Sequence, residues 1–336
     1  MNTLKEIQFY KTDDKKIYYF IDILKCVAVI LIVNSHMEAS YGKFASFASG
    51  GAIGLALFFF CSGFTLNISS DFAKYMKRRV ARIYPTVFSI VFAESLLFGN
   101  RINICDVLLN GGGWFVSSIM IMYIGLFVID KFFKVRIWGV FIFYLLFVIT
   151  LLFYVTPDNP NYFFNGSANV FARVHYFIYM LLGYLLKNKI EDFPEFRISK
   201  TWLYFLSIVS PCSFYAILMF VNYDQQLLKY SIFACVLLII TIISWFLLTS
   251  TLNMALGKFT SRLYKGIKLI SALSLEAYLC QTWVITDRLN HLFPFNLALI
   301  FIGILLVSYM LKIISNLFLQ TFSERDYDFK RLIKIT

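Results

Sequence analysis

Ten runs of roughly 17 to 25 mostly apolar residues recur along the chain, each long enough to cross the ~30 Å hydrocarbon core of a bilayer as a helix. They fall approximately at 18–37, 50–68, 82–98, 114–130, 136–155, 171–187, 201–220, 229–249, 269–288 and 296–318. In lipid every backbone N–H and C=O must be satisfied within the protein, so long apolar runs admit helices and little else. The composition, 60% hydrophobic and 15% charged, lies outside the range of soluble domains. We expect an all-α, polytopic integral membrane protein with about ten transmembrane helices.

Lys and Arg gather in alternate loops on the cytoplasmic side of such a protein. Here 24 of the 31 basic residues fall in the N-terminal tail (Lys5, Lys11, Lys15, Lys16), in the returns Lys74–Arg82, Lys131–Arg136, Lys187–Lys200 and Lys258–Lys268, and in Arg325–Lys334. The intervening loops hold only Lys43, Arg101, Arg173, Lys229 and Arg288. Both termini are therefore expected in the cytoplasm, and the net charge of +12 reads as a topology signal rather than a nucleic-acid footprint. No clear small-residue cleavage site follows the first apolar run, which reads as a retained helix.

The six cysteines (Cys26, Cys61, Cys105, Cys212, Cys235, Cys280) show neither CxxC nor Cys/His ligand spacing, so no disulfide framework and no metal site is indicated. No repeat or low-complexity tract is evident. The expected organisation is a tail at 1–17, one membrane domain at 18–318 and a second tail at 319–336.

Ionisable residues inside spans are costly and are functional candidates by default. Lys25 and His36 both lie in the first span. Eleven residues advance a helix by about three turns and ~16 Å, so the two share one face. Glu94 lies deep in the third span, while Glu276 and Lys312 come to a depth similar to that of Lys25. Pairing of Glu276 with one of the lysines would offset the cost of burying them, and all three can form one charge cluster.

The motifs in order resemble a known family. Asp22-Ile23-Leu24-Lys25 leads to His36 at the spacing of an (I/L)DxLR…His helix, with Lys in place of Arg. Residues 56–64, ending Cys61-Ser62-Gly63-Phe64, resemble an FFxxSGF signature, and residues 78–85, Arg78 to Pro85, an RRxxRIYP loop. Trp114-Phe115 after a glycine run is similar to a WF(L) element, and residues 274–281 resemble SxxxYLxH with Gln281 where His is common. The chain so resembles the membrane-bound acyltransferase 3 proteins, which include O-acetyltransferases of bacterial surface glycans.

The resemblance implies transfer of an acyl group, expected to be acetyl, from cytoplasmic acyl-CoA to a hydroxyl of a cell-surface polysaccharide or lipid-linked glycan. It implies a bacterial inner membrane, acyl-CoA as donor substrate rather than bound cofactor, membrane lipid and glycan as partners, and no nucleic acid. His36 would serve as general base, with Lys25 and Glu94 as catalytic companions, Glu94 orienting the imidazole or forming a structural hydrogen bond. Arg78, Arg79, Arg82, Tyr84, Ser62 and Gly63 would form the acyl-CoA side, where guanidinium forks suit phosphate. Ser62-Gly63 also reads as close helix packing. Trp114, Arg173, His175, Tyr278 and Gln281 would meet the acceptor, although His175 and His291 also fit interfacial or loop positions. Aromatic and amide groups at Tyr162-Phe163-Phe164-Asn165 suit a sugar, as they suit an interfacial belt. Asn165-Gly166-Ser167 is a glycosylation sequon without meaning in a bacterial protein. Two other readings stand beside this one: a transporter or flippase of a glycan or lipid-linked sugar, although no inverted repeat or midplane helix break is evident, and a catalytically inactive scaffold.

Overall fold

The computed structural model describes residues 19–69, 71–99, 103, 107–108, 113–133, 135–154, 170–189, 199–223, 230, 232–251, 262–321 and 328–333. All regular structure among them is helical. In chain order the helices are α1 (Tyr19–His36), α2 (Glu38–Tyr41), a 3-10 turn (Gly42–Phe47), α3 (Gly51–Phe64), α4 (Phe72–Phe98), α5 (Trp114–Phe133), α6 (Val135–Tyr154), α7 (Val170–Lys189), α8 (Lys200–Tyr223), α9 (Ile232–Thr251), α10 (Arg262–Ala272), α11 (Ser274–Val284), α12 (Phe295–Thr321) and α13 (Phe329–Ile333). The Tyr162–Asn165 stretch, the sequon, Cys105, Arg101, Lys229, Arg325, Lys334 and the N-terminal lysines lie outside the described residues.

Among these residues six helices are long and apolar enough to cross a membrane, and seven if the bent pair Glu38–Phe47 and Gly51–Phe64 counts as one span. That is four fewer than the ten apolar runs: the run at 136–155 contributes only the shorter apolar stretch Trp138–Thr150, and the other three have local causes. α7 is diluted by Arg173, His175, three tyrosines and Lys187. The run at 269–288 is divided at Leu273 between two helices of 11 residues each. The run at 50–68 forms a helix of only 14 residues, ~21 Å long, which meets the preceding segment at 101°.

The chain forms two compact units. The first comprises Met1–Ala28, Ala52–Leu66 and Phe132–Lys265. Its tightest seam joins α3 to α7 through two glycines: a Cβ on Gly63 would overlap the Met180 carbonyl oxygen, and a Cβ on Gly183 would overlap the Phe60 carbonyl oxygen. The backbones therefore touch where Ser62-Gly63 was read as packing, the usual service of small residues between membrane helices. Beside this seam Phe20 packs edge-on against Phe64 and Phe246, both at 5.5 Å between centroids. Two polar contacts tie the ends of the unit: Lys187 Nζ donates to the Leu66 carbonyl at 2.8 Å, and the Tyr264 hydroxyl to Asp22 Oδ2 at 2.8 Å. Burial and this hydrogen bond to an acid push the Tyr264 phenol well above its ordinary pKa.

α8 and α9 pair through polar groups as well as apolar ones. Pro211 stands inside α8 and has no N–H to give, so the Ser207 carbonyl four residues earlier loses its helical donor. Trp245 Nε1 of α9 donates to that carbonyl at 2.8 Å. Thr241 donates to Ser210 Oγ at 2.9 Å one turn along.

The second unit comprises Val29–Gly51, Asn67–Lys131 and Gly266–Thr336. Its core is Val29, Val33 and Met37 packed with Ile90, Ala277, Cys280, Ile300, Ile304 and Leu311. α4 starts on an Asp71 side chain that accepts from Ala73 N–H, and ends at Gly99 with φ 69°, an N-cap and a left-handed C-cap. Its 27 residues span ~40 Å, so the basic first turns extend past the hydrocarbon depth. Beyond α12 the chain turns back: Gln320 Nε2 donates to the Asp328 carbonyl at 3.1 Å, and Asn316 Nδ2 to the Leu332 carbonyl at 3.1 Å.

Candidate active site

The second unit holds most of the predicted residues, and one of them, Arg79, lies on the buried face of α4. Tyr75, Arg79, Ile83, Thr86 and Ile90 follow helical spacing and are all buried, and Glu94 follows one turn on. Arg79 is 8% exposed. Its guanidinium carbon lies 5.6 Å from the Tyr75 ring centre and 5.6 Å from that of Tyr123, a cation held between two π faces. The Tyr75 hydroxyl donates to the Tyr123 carbonyl at 3.0 Å and fixes this clamp. Arg79 Nε is buried and has no hydrogen-bond partner among the described residues. Arg78 and Arg82 are exposed on the same helix, and the Tyr84 hydroxyl donates to the Leu108 carbonyl at 2.6 Å.

Two turns further along α4 the side chain of Thr86 donates to Glu276 Oε1 of α11 at 2.9 Å, and Lys312 Nζ of α12 bonds the same oxygen at 2.9 Å. Ser315 Oγ lies 3.3 Å from Thr86 Oγ1. Glu276 is 1% exposed and Lys312 24%. Lys312 is thus the lysine that pairs with Glu276, as the cost of burial predicts. Glu276 Oε2 remains without a hydrogen-bond partner among the described residues, as does the buried Gln281 Oε1 five residues on. On the same helix Tyr278 stands 4.6 Å from Phe115, whose neighbour is Trp114. The structure therefore brings Trp114 and Tyr278 against one ring.

At the far end of this column Glu94 Oε1 accepts a hydrogen bond from Trp283 Nε1 at 3.1 Å. The interhelical role that the sequence left open for Glu94 is therefore occupied by the indole. Trp283 in turn packs edge-on against Phe98 at 6.0 Å. His36 is the last residue of α1 and is exposed. It lies seven residues after the core residue Val29, two helical turns along the same face.

Lys25, Ser62, Gly63, Arg173 and His175 belong to the first unit. Lys25 is half-buried, and Arg173 Nε is buried with no hydrogen-bond partner among the described residues. His175, for which the sequence offered an interfacial or loop position or a part in acceptor binding, lies in the interior. It is fully buried, packs against Tyr176 and Tyr179, and its Nε2 lies 3.2 Å from the Tyr179 hydroxyl. His175, Tyr176 and Tyr179 form one ring cluster in the core, each packed against the other two. His291, by contrast, is exposed as expected.

Sequence reasoning missed Thr86, Ser315, Tyr75, Tyr123 and Trp283. A signal existed for two of them: Tyr75 and Thr86 stand four residues before and seven after Arg79, on its face of α4. Trp283 had none, since an indole near a span end is ordinary. No group of three or more His, Cys, Asp or Glu side chains among the described residues is placed to hold a metal ion.

Apolar helices of membrane-spanning length, with an ion pair and a clamped arginine between them, define a multi-pass integral membrane protein with a polar interior. The chain matches the acyltransferase domain family (acyltransferase 3) over residues 18–313, and it belongs to that family: it is a membrane acyltransferase. No curated protein and no solved structure matched it.

Proposed function

We propose that the protein moves an acyl group, acetyl by preference, from acyl-CoA in the cytoplasm of a bacterium to a hydroxyl of a cell-surface polysaccharide or lipid-linked glycan. The observation that carries this reading is the polar column of α4, with a clamped cation at its basic end and a carboxylate near its other end. From Arg79 to Glu94 is fifteen residues, ~22 Å along the helix, a length that a pantetheine arm can follow. Arg78 and Arg82 meet the CoA phosphates outside the clamp, and Arg79 holds its charge in a dry place where it acts strongly.

In the reaction His36 takes the proton of the acceptor hydroxyl as its oxygen attacks the thioester carbonyl. The C–S bond then breaks, the acyl group stays on the acceptor oxygen, and the imidazolium returns its proton to the CoA thiolate. Glu94, fixed by Trp283, supplies negative charge near the same end of the unit. Lys25 lies on the same face of α1 as the imidazole and ~16 Å along it. Within the second unit Tyr84 serves the donor, and Trp114, Tyr278 and Gln281 serve the acceptor. The transporter reading calls for a helix break at the midplane. The bend before α3 lies against Leu31 and Ser35, in the last two turns of α1, and the break at Leu273 falls near the start of its apolar run.

The test is transfer of labelled acetyl from acetyl-CoA to endogenous glycan in membranes carrying wild type or His36→Ala at matched expression. Loss of a general base lowers the rate about 10²–10⁴-fold with helicity unchanged. No label with the wild type, with native acceptor present, overturns acetyl transfer from CoA. A second variant probes the donor side. Arg79→Lys keeps the charge but loses the planar stack between Tyr75 and Tyr123, so KM for acetyl-CoA is expected to rise about tenfold while kcat changes little. An unchanged KM removes Arg79 from the donor site.

A further inference from the structure

His36 closes α1, and the last residue of a helix is the one least held by it, since helix ends fray. A general base must nevertheless meet its proton within hydrogen-bond reach, and a displacement of about 1 Å can cost on the order of 10²-fold in rate. The chain changes direction directly behind the imidazole: Met37 stands outside helical geometry at φ −85° and ψ 17°, and α2 begins at Glu38. What fixes the exposed His36 must come from the residues before and after it.

Before it stands Asn34. Its Nδ2 donates to the carbonyls of Phe47 at 2.9 Å and Ser49 at 2.8 Å, and its Oδ1 accepts from the Tyr41 hydroxyl at 2.6 Å. One side chain thus joins the last turn of α1 to α2, to the 3-10 turn and to the chain returning toward α3. Gly50, at φ +112°, lets that returning backbone lie against Leu31. After it, the Met37 side chain is buried in the core of the second unit. The segment beyond α11 ties α2 down: Ser40 Oγ donates to the Thr286 carbonyl at 3.0 Å, Asn290 Nδ2 to the Ala39 carbonyl at 2.9 Å and Asn296 Nδ2 to the Ser40 carbonyl at 2.7 Å. That segment continues the helix whose Trp283 holds Glu94.

The junction has the chemistry of an amide. Two carbonyls need two donors from one short side chain, a phenol needs an acceptor, and asparagine supplies all three. An aspartate of the same shape offers only acceptors and would set a charged oxygen against the Phe47 and Ser49 carbonyls. Alanine leaves Met37 in the core but unties the final turn of α1. We propose that Asn34 is a positioning residue for the transfer reaction, holding the end of α1 so that the His36 imidazole keeps one place relative to the acceptor hydroxyl. This rests on the reading of His36 as the general base and adds to it the residue through which that base is held.

The experiment is a double-mutant cycle on acetyl transfer by the full chain in membranes at matched expression. Asn34→Ala is expected to lower kcat about 10- to 100-fold with KM for acetyl-CoA within about twofold. It should leave the residual rate of His36→Ala unchanged, because without the imidazole nothing remains to be positioned. An equal fold-loss in both backgrounds, a wild-type rate in Asn34→Ala, or a wild-type rate in Asn34→Asp overturns the proposal. A wild-type rate in His36→Ala instead counts against the base reading itself. A second measurement needs no turnover. The chain has three histidines, so isotope-labelled histidine in nanodiscs gives three ring signals by NMR, assigned by their loss in His36→Ala and His291→Asn and, for His175, by elimination. In Asn34→Ala the His36 signal is expected to shift and broaden while that of His175, held among its own rings in the first unit, stays in place. An unmoved His36 signal overturns the proposal, and so does an equal disturbance of His36 and His175, which would mark Asn34 as a residue of the fold alone.

Discussion

Gly63→Ala is expected to prevent the first unit from folding to its native packing, with a steep fall in monodisperse protein after extraction and a lower Tm for what remains. Overpacking by a methyl group ordinarily costs about 1–3 kcal/mol because side chains can move aside. Here the obstacle is backbone: the new Cβ would overlap the Met180 carbonyl oxygen and lie 2.8 Å from its carbon. Relief requires α3 and α7 to separate, which also removes the reciprocal contact of Gly183 with the Phe60 carbonyl. Gly183→Ala should therefore fail similarly, and the double variant should be little worse than either, since both damage one seam. A Tm equal to wild type for Gly63→Ala would show that the helices do not approach as described.

Lys312→Ala is expected to cost about 3–5 kcal/mol, toward the lower end because the lysine keeps some exposure, by leaving the Glu276 carboxylate buried without its counter-charge. The pair removed together as Glu276→Gln/Lys312→Met should lose much less, because no charge is then stranded. A double-mutant cycle in thermal or denaturant unfolding measures the coupling. Single and double variants of equal stability would show that the ion pair carries no weight in the second unit. Thr86→Val belongs to the same cycle: it takes one neutral donor from Glu276 Oε1 and should cost ~1 kcal/mol.

These two sites differ in how far a linear reading could reach them. The Ser62-Gly63 pair was legible as packing because a small residue in an apolar span has few other uses, but its partner was not, since Gly183 lies 120 residues away with nothing local to match it. The ion pair was legible because charge in a span demands a counter-charge, and depth along the helices narrowed the choice to Lys25 or Lys312. Choosing Lys312 needed tertiary structure. Hydropathy located the all-helical membrane class, yet it counted runs and not helices. Residues 269–288 read as one apolar run although the helix is interrupted at Leu273, a residue of ordinary helix propensity, and no proline or glycine marks the break. His175 was read from its place two residues after Arg173 at the start of a span, and nothing local marked that its ring packs against Tyr176 and Tyr179.

The bond from Trp245 to Ser207 bears on how the two helices are matched. Pro211 deprives one carbonyl of its own helix's donor, and a bilayer offers no substitute. The indole N–H of α9 fills that vacancy at one place along α8, and Thr241 meets Ser210 one turn away. The proline thus acts as an address, marking the point at which the neighbour's register falls.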